Sequence, residues 1–380
     1  VENSGTYDES YDDIDVTYEE GVDYRADGAK VDTNAENYVT LADMKGLDYD
    51  DPAWEQLLSQ ISLKEMQNMI CYGGWRISGI DAIGSKSINI FDGPSGLTSM
   101  FSTGGGGTAY PATIVLASTW SKELSDTYGS YYADEYHAKG VSGCYAPSMN
   151  IHRSPFSGRN FEYYSEDGRL SALVGSGVAK ASTDKGLLVY AKHFALNDQE
   201  TNRGANICTW ATEQTIREIY LSPFEKTVKD GNVTGMMAAF NRIGNTWCGK
   251  HKELLTNVLR GEWGFRGVVS TDAAGGDNYM TGGSDVTASV RAGCDIWLTF
   301  MGSDNKPSVE TNADIHYVRR AAKDILYTAA NGETIEINVK PWRAVLAVID
   351  VVLVVLFLLC ARGMVKTIKK RRQEKRQGAK

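Results

Sequence analysis

Short apolar runs alternate with longer segments of helical periodicity between residues 52 and 331. Apolar residues three and four positions apart predict amphipathic helices over 51–70, 122–140, 212–231 and 252–263. The apolar runs end in polar residues or glycine, as buried parallel strands do, and seven of them are strand candidates: 87–93, 112–118, 141–153, 186–194, 233–242, 266–273 and 292–300. The repeated order of strand and helix predicts an α/β fold, a (β/α)8 TIM-like barrel over 52–331, whose eighth strand is unassigned near the start or end of that region. A doubly wound sheet is the alternative, although no GxGxxG follows the first strand.

A second apolar pattern, over 344–361, lacks the alternation of the barrel. Thirteen of its 18 residues are Val, Ile, Leu or Phe, and together they favour membrane insertion by about 4–8 kcal/mol. Asp350 opposes insertion by about 3 kcal/mol, so the sum predicts a single transmembrane helix. Trp342 stands where an interfacial aromatic residue belongs. The positive-inside rule then places the barrel outside the cell membrane and the C-terminal tail in the cytoplasm.

Charge changes sharply along the chain, whose net charge is −9. Residues 1–60 hold 17 acidic and 3 basic side chains, whereas residues 362–380 hold 9 basic side chains and one acidic. We therefore divide the chain around the barrel and the helix into an acidic N-terminal linker or appendage (1–51), a juxtamembrane linker (332–343) and a basic cytoplasmic tail (362–380). The acidic balance argues against nucleic acid as a partner. The first residue is Val1, with no signal peptide, so we expect a longer precursor.

The six cysteines show neither CxxC spacing nor a regular framework, and most are expected to be buried small apolar residues. The five histidines show neither HxH nor HExxH spacing, so a metal-dependent hydrolase is disfavoured and no metal or organic cofactor is expected.

Polar side chains concentrate where the predicted strands end, which in a parallel barrel is the catalytic face. These side chains are Asp92, His152, Arg153, Lys192, His193, Asn241, Arg242 and Asp272. Asp272 follows a buried strand and faces the barrel mouth, or else it caps the next helix. For Lys192 and His193 both to face a ligand, the backbone must be irregular there. One carboxylate among several cations and hydrogen-bond donors suits a small polyhydroxylated ligand and an ionised nucleophile.

Four segments, FDGPSGL, SGRNFEYYSEDGR, KHFALNDQETNR and RGVVSTDAAGG, together resemble glycoside hydrolase family 3, the retaining exo-acting β-glucosidases and β-xylosidases. The resemblance covers residues 60–330 and implies that Asp272 is the nucleophile. It also implies that the non-reducing sugar is held by Asp92, Arg159, Lys192, His193 and Met237. Family members often have Tyr-Asn where this chain has Phe240-Asn241, so a hydrogen bond from a tyrosine to Asp272 is missing, while Phe240 could stack on a sugar.

A retaining glycosidase needs a second carboxyl group about 5–5.5 Å from the nucleophile as its acid/base. In this family it usually comes from an α/β-sandwich domain; the branch that uses an Asp-His pair after KHF is disfavoured because ALNDQETNRGANICTW contains no histidine. Glu162, Asp198 and Glu200 are candidates within the chain, with structural roles preferred. The segment YEEGVDYR resembles one that leaves the sandwich, so we expect the sandwich and its acid/base to precede Val1.

The sequence thus predicts a surface-anchored exo-glycosidase that removes terminal β-linked glucose or xylose by double displacement. The alternative is a catalytically weak or inactive carbohydrate-binding relative at the cell surface. Glycone, linkage, aglycone and oligomeric state stay open.

Overall fold

The structure is a computed structural model that describes residues 38–98, 106–201, 203, 207–274, 286–299, 306–309, 312–333 and 341–377. The chain divides into two units, Val1–Ile335 and Glu336–Lys380. The expectations for residues 1–37, including the segment YEEGVDYR, and for the end of the tail, 378–380, lie outside the described residues.

The first unit is built on a six-stranded sheet in the order β1-β2-β3-β4-β6-β9. Its strands are β1 (Arg76–Ile77), β2 (Ile88–Asp92), β3 (Gly143–Tyr145), β4 (Leu188–Phe194), β6 (Gly235–Ala238) and β9 (Val268–Ser270). The pairs from β2 to β9 are parallel, and β1 is antiparallel to β2. A parallel bridge between Ser270 and Ile296 extends the sheet by one segment. Within the described residues, this is an open arc of a TIM-like barrel, with fewer strands than the predicted closed eight.

A second, three-stranded sheet lies among the connections of the first. It consists of β5 (Cys208–Thr209), β7 (Arg242–Ile243) and β8 (Thr246–Trp247), in the order β5-β7-β8.

Helices occupy most of the connections between the strands. They are α1 (Ala53–Ser59), α2 (Leu63–Cys71), α3 (Thr113–Ala117), α4 (Lys122–Ala138), α5 (Gly168–Thr183), α6 (Glu213–Thr215), α7 (Ser222–Lys229), α8 (Val286–Ala292) and α9 (Asn312–Asn331). Ile216–Leu221 and Glu253–Glu262 are π-helical, and the former joins α6 to α7. The 3₁₀ turns are Leu41–Met44, Asp81–Ile83, Asn160–Glu162 and Cys248–Lys250.

Two of the predicted elements are wrong. The predicted strand 112–118 is instead the helix α3 (Thr113–Ala117). A run of five apolar residues is too short for its length or periodicity to distinguish a helix from a strand. The predicted helix 51–70 is two helices, because Ser62 begins α2 with a capping box: its side chain accepts a hydrogen bond from the Glu65 amide, and Glu65 accepts one in return. The helices α5, α8 and α9 were not predicted.

Strand β4 shows how the core is divided between the two faces of the sheet. Leu188 and Tyr190 pack in a cluster with the N-terminal helices and α9, whereas Val189 and Ala191 pack in another with α4 and α5. This alternation ends after Ala191, where the register of β4 against β6 shifts before Phe194. The backbone irregularity that the sequence predicts at residues 192 and 193 is therefore confirmed.

Four of the cysteines are buried, as the sequence predicts: Cys71, Cys144, Cys248 and Cys294. Burial raises the pKa of each of these thiols to about 12, so they stay protonated near neutral pH. Cys208 is partly exposed and Cys360 is exposed.

The second unit consists of the helix α10 (Pro341–Gln377). Its segment Val348–Lys369 is long and apolar enough to cross a membrane, by length and composition. The apolar side chains from Val348 to Leu359 are exposed. The helix begins before the predicted span 344–361 and continues through residues assigned to the tail.

Candidate active site

Three strands bring the predicted site residues to one edge of the sheet. Asp92 ends β2, Lys192 and His193 lie near the end of β4, and Asp272 follows β9. These strands run parallel within the sheet, so their carboxyl ends share the edge where barrel enzymes place their chemistry. Arg159 reaches the same region from the connection after β3.

A tight turn fixes the position of Asp92. Gly93, the next residue, has a φ of +137°, and a Cβ there would lie 1.8 Å from the carbonyl oxygen of Gly96. Only glycine fits such a turn, so the DGP sequence sets where the strand stops.

Strand β6 fixes the spacing between the two strands that flank it. The Ala239 amide donates to the Phe194 carbonyl over 2.7 Å, and the Asp272 amide donates to the Ala238 carbonyl over 3.1 Å. The residue after β9 and the end of β4 are thus both hydrogen-bonded to one central strand.

Asp272 has a largely buried carboxylate with one uncommitted oxygen. Its side chain is 13% exposed. Oδ1 accepts a hydrogen bond of 2.7 Å from the Ala273 amide, whereas Oδ2 accepts none from any residue that the structure describes. The His193 Nε2 lies 3.6 Å from Oδ2. A free oxygen held in a buried site is what a carboxylate nucleophile requires.

Burial raises the pKa of Asp272 to about 6, against an ordinary 3.8. The positive charges of Arg159, Lys192 and Arg203 and the Ala273 amide act in the opposite direction without cancelling it. The carboxylate is therefore ionised above about pH 6, but at a net free-energy cost.

His193 is buried and its backbone is clamped by one side chain. The His193 amide donates to Asn150 Oδ1 over 2.7 Å, and Asn150 Nδ2 donates to the His193 carbonyl over 2.9 Å. The peptides Lys192–His193 and Phe194–Ala195 are cis. Burial, together with nearby Arg159, Lys192 and Arg203, holds the pKa of the ring well below its usual value, so the imidazole is neutral.

Lys192 lies between two carboxylates. Its Nζ is 3.5 Å from Asp92 Oδ1 and 3.7 Å from Glu162 Oε2. Glu162 also pairs with Arg159 and accepts a 2.8 Å hydrogen bond from Ser148 Oγ. Although burial acts to raise its pKa, these partners leave the pKa of Glu162 below its ordinary value. A carboxylate so held suits a structural role and is a poor proton donor.

A second carboxylate, Glu200, extends the network toward the solvent. Arg203 donates to Glu200 over 2.6 Å, and Arg159 lies 3.6 Å from it. The Arg203 guanidinium also lies 4.7 Å above the ring of Phe240, which is 4% exposed. That ring is therefore engaged by Arg203 rather than open for a sugar to stack on.

Several other side chains at strand ends bond to the protein itself. His152 Nε2 lies 3.0 and 3.1 Å from the carbonyl oxygens of Asn160 and Tyr163, and Arg153 bonds to the Tyr220 hydroxyl. Asn241 and Arg242 donate to the carbonyl oxygens of Ala195 and Asn245.

Met237 lies on β6 and is 2% exposed, in the same core cluster as Tyr145 and Trp297. The structure thus gathers Asp92, Arg159, Lys192, His193 and Asp272 and leaves Met237 in the core beside them.

Sequence reasoning did not assign a role to three residues of this site, Tyr163, Asn197 and Arg203. Arg203 could have been found as the cation that ends the polar run after KHF. The described residues contain no group of three or more His, Cys, Asp or Glu side chains placed to hold a metal ion.

The comparisons with curated proteins point to one enzyme class. A β-glucosidase from Rhizobium radiobacter is 34% identical over 245 residues, which are 64% of this chain and 29% of that protein. The thermostable β-glucosidase B of Acetivibrio thermocellus is 34% identical over 267 residues, 67% of this chain and 34% of that protein. The chain thus spans about a third of the length of these relatives.

Solved structures agree. β-Glucosidase 3B from Thermotoga neapolitana, in complex with glucose, has 32% identity and a TM-score of 0.63, with 73% of this chain and 42% of that chain covered. A β-glucosidase from Paenibacillus barengoltzii has 25% identity and a TM-score of 0.69, with 82% and 36% covered. Residues 89–329 match the glycosyl hydrolase family 3 N-terminal domain. The chain therefore belongs to glycosyl hydrolase family 3, and residues 89–329 are the TIM-like barrel domain of that family.

Proposed function

We propose that this chain is the nucleophile-bearing barrel of a retaining exo-acting glycosidase that removes terminal β-linked glucose. The observation that carries the proposal is Asp272: a buried carboxylate at a strand end, with one oxygen free and three cations around it. The β-glucosidase names of the relatives favour glucose over xylose.

In the proposed reaction, Asp272 Oδ2 attacks the anomeric carbon as the bond to the leaving oxygen breaks, which forms a glycosyl ester. A general acid protonates the leaving oxygen. Water, deprotonated by the same group, then attacks the anomeric carbon as its bond to Asp272 Oδ2 breaks, which releases glucose of unchanged anomeric configuration and restores the carboxylate. Asp92, Arg159, Lys192 and His193 would hold the sugar hydroxyls, and Met237 would line the floor beneath them.

The acid/base in this proposal belongs to a sandwich domain upstream in the full-length chain. The support for an acid/base outside this chain is that two carboxylates of the site are already committed to ion pairs. Glu162 pairs with Arg159 and Lys192, and Glu200 pairs with Arg203. A group held in this way cannot easily alternate between acid and base.

We also propose the division 1–51, 52–331, 332–343, 344–361 and 362–380, with the 344–361 segment as a single-pass anchor in the cell membrane and the barrel outside. Its support is the apolar stretch Val348–Lys369 of α10 and the basic residues that follow. The full chain should float with liposomes at high salt. A variant with Val352, Val355 and Leu359 all changed to Asp should stay in the dense fraction; equal flotation of both contradicts the anchor.

The catalytic proposal is tested by trapping the ester. The full chain in detergent is incubated at pH 7, above the pKa of Asp272, with a 2-deoxy-2-fluoroglucoside that carries a dinitrophenolate leaving group. Such a donor needs little acid assistance, so it reports on the nucleophile without the sandwich domain. We expect a mass increase of one fluoroglucosyl group, mapped to the peptide that contains Asp272.

Asp272→Asn is the matched variant and should remain unlabelled. A label on another residue, or the same label in the variant, contradicts the assignment of the nucleophile. Glucose binding without any label supports the carbohydrate-binding alternative. Faster labelling by the corresponding fluoroxyloside indicates that the glycone is xylose rather than glucose.

A further inference from the structure

Asn197 and Tyr163 connect the carboxylate of Glu200 to one side of the His193 ring, and the other side of the ring faces the carboxylate of Asp272. Asn197 Nδ2 lies 3.4 Å from the Tyr163 hydroxyl and 3.4 Å from Glu200 Oε1. The Tyr163 hydroxyl lies 3.3 Å from His193 Nδ1, and His193 Nε2 lies 3.6 Å from Asp272 Oδ2. Asn197, Tyr163 and His193 are all buried. The five side chains form one continuous polar chain through the site.

The direction of each hydrogen bond in this chain follows from its ends. Glu200 is a carboxylate paired with two arginines and can only accept, so the Asn197 amide presents its NH₂ group to it. The same NH₂ group faces the Tyr163 oxygen and donates to it. The Tyr163 hydroxyl has a single hydrogen, and His193 Nδ1, 3.3 Å away, is the acceptor that faces it. The ring proton of the neutral imidazole is left on Nε2, facing Asp272.

We propose that Tyr163 is a positioning residue, oriented by Asn197, that fixes His193 as the Nε2–H tautomer and thereby keeps Asp272 ionised. The consequence for catalysis rests on the proposed function; the tautomer itself does not. The 3.6 Å separation from Nε2 to Oδ2 is longer than a hydrogen bond, and such contacts in unliganded sites shorten when substrate binds.

Fixing the tautomer also opposes the addition of a proton to the His193–Asp272 pair. With Nε2–H facing Asp272, a further proton on the ring must add at Nδ1 and form the imidazolium. That hydrogen would meet the one that Tyr163 donates. Arg159, Lys192 and Arg203 oppose the imidazolium as well, since all three repel a positive charge on the ring. Removal of the Tyr163 hydroxyl removes the first of these two effects, so His193 Nδ1 should become protonated at a higher pH.

The tautomer can be read without any activity. The full chain is produced with [δ1-¹⁵N]histidine, reconstituted in liposomes and followed by solid-state ¹⁵N NMR; there are five histidines, and loss of one resonance in His193→Gln assigns the relevant signal. At pH 7 we expect an unprotonated Nδ1 at position 193. In Tyr163→Phe that nitrogen should become protonated about 0.4 to 1 pH unit above the wild-type midpoint, the shift worth one ordinary hydrogen bond. The acidic limb of labelling by the fluoroglucoside should move by the same amount.

Tyr164→Phe is the matched control, because it removes the hydroxyl of the neighbouring buried tyrosine, which packs in the core cluster with α4 and α5. It should titrate as the wild type does. Asn197→Ala is expected to shift the midpoint in the same direction as Tyr163→Phe. It provides the test if the Tyr163→Phe variant does not fold. A wild-type Nδ1 that carries hydrogen at pH 7, or equal midpoints in wild type and both variants, overturns the proposal. The expected NMR shift without any fluoroglucosyl labelling of the wild type would refute the proposed function and leave the positioning role standing.

Discussion

Replacing Asp272 by Asn should stabilise the fold while it abolishes the fluoroglucosyl label. The carboxylate has a pKa of about 6 in the folded chain and an ordinary value of 3.8 when exposed. Because the folded state binds the proton more tightly, stability is greatest below pH 3.8 and falls as the pH rises toward 6. Each pKa unit corresponds to 1.36 kcal/mol, so the ionised carboxylate costs about 3 kcal/mol above pH 6. Asparagine has nearly the same shape and carries no charge, so it removes this cost.

The assay is urea unfolding of the full chain in detergent, followed by tryptophan fluorescence at pH 7.5 and at pH 4. At pH 7.5 the variant should exceed the wild type by about 2–4 kcal/mol, and at pH 4 the two should nearly coincide. Asp126→Asn serves as the control, because that carboxylate is 45% exposed and pairs with Lys122 at the surface; a change within about 0.5 kcal/mol is expected there. A less stable Asp272→Asn would refute the reasoning, since it means that the cations outweigh burial. A gain that is equal at both pH values would refute it as well, since the gain would then not come from ionisation of Asp272.

Two further predictions concern stability. Glu162→Gln removes the buried carboxylate that pairs with both Lys192 and Arg159, and it should cost about 3–5 kcal/mol in urea unfolding at pH 7. Because the pKa of Glu162 is lowered in the fold, the loss should shrink as the pH falls through that pKa, and an unchanged midpoint at pH 7 contradicts the ion-pair role. Gly235→Ala places a Cβ 2.4 Å from the buried Tyr190 ring and should cost about 1–3 kcal/mol, whereas Gly261→Ala, whose Cβ finds its nearest atom at 3.4 Å in a helix, should be neutral or stabilising by up to about 1 kcal/mol. Equal thermal midpoints for the two glycine variants would mean that the crowding at Tyr190 is relieved by movement of the ring.

The catalytic strands could be predicted because each combines a buried apolar run with an abrupt polar end. In β4 the apolar residues are followed directly by Lys192, and in β9 they are followed by Ser270, Thr271 and Asp272, so both the strand and its polar end are visible in the sequence. The helix α5 was missed because its glycines and serines obscure helical periodicity. A readable signal was present at Asp167, whose side chain caps α5 by accepting from the amides of Arg169 and Leu170.

The supporting side chains were harder to predict than the strand ends. Tyr163 lies next to the motif residue Glu162 and reads as one more core aromatic until its distance to His193 is known. In the sequence, Asn197 resembles an ordinary loop residue, and nothing local indicates its contact with Tyr163. Their contacts depend on how β4 leaves the sheet after its register shift, which no local pattern specifies. In contrast, an irregularity at 192 and 193 followed from the alternation of strand side chains once both residues were expected to face a ligand.

The hydrogen bonds of β6 to both neighbours have a consequence for how this enzyme class can diversify. The Ala239 amide bonds to the end of β4, and the Ala238 carbonyl receives the Asp272 amide. The His193 and Asp272 backbones are therefore separated by two strand spacings of roughly 4.8 Å each, a distance that the sheet alone sets. Insertions, deletions and exchanges in the connecting loops and helices leave this interval unchanged. Lineages, whether natural or selected in the laboratory, can therefore exchange these loops while they inherit the spacing of His193 and Asp272 intact.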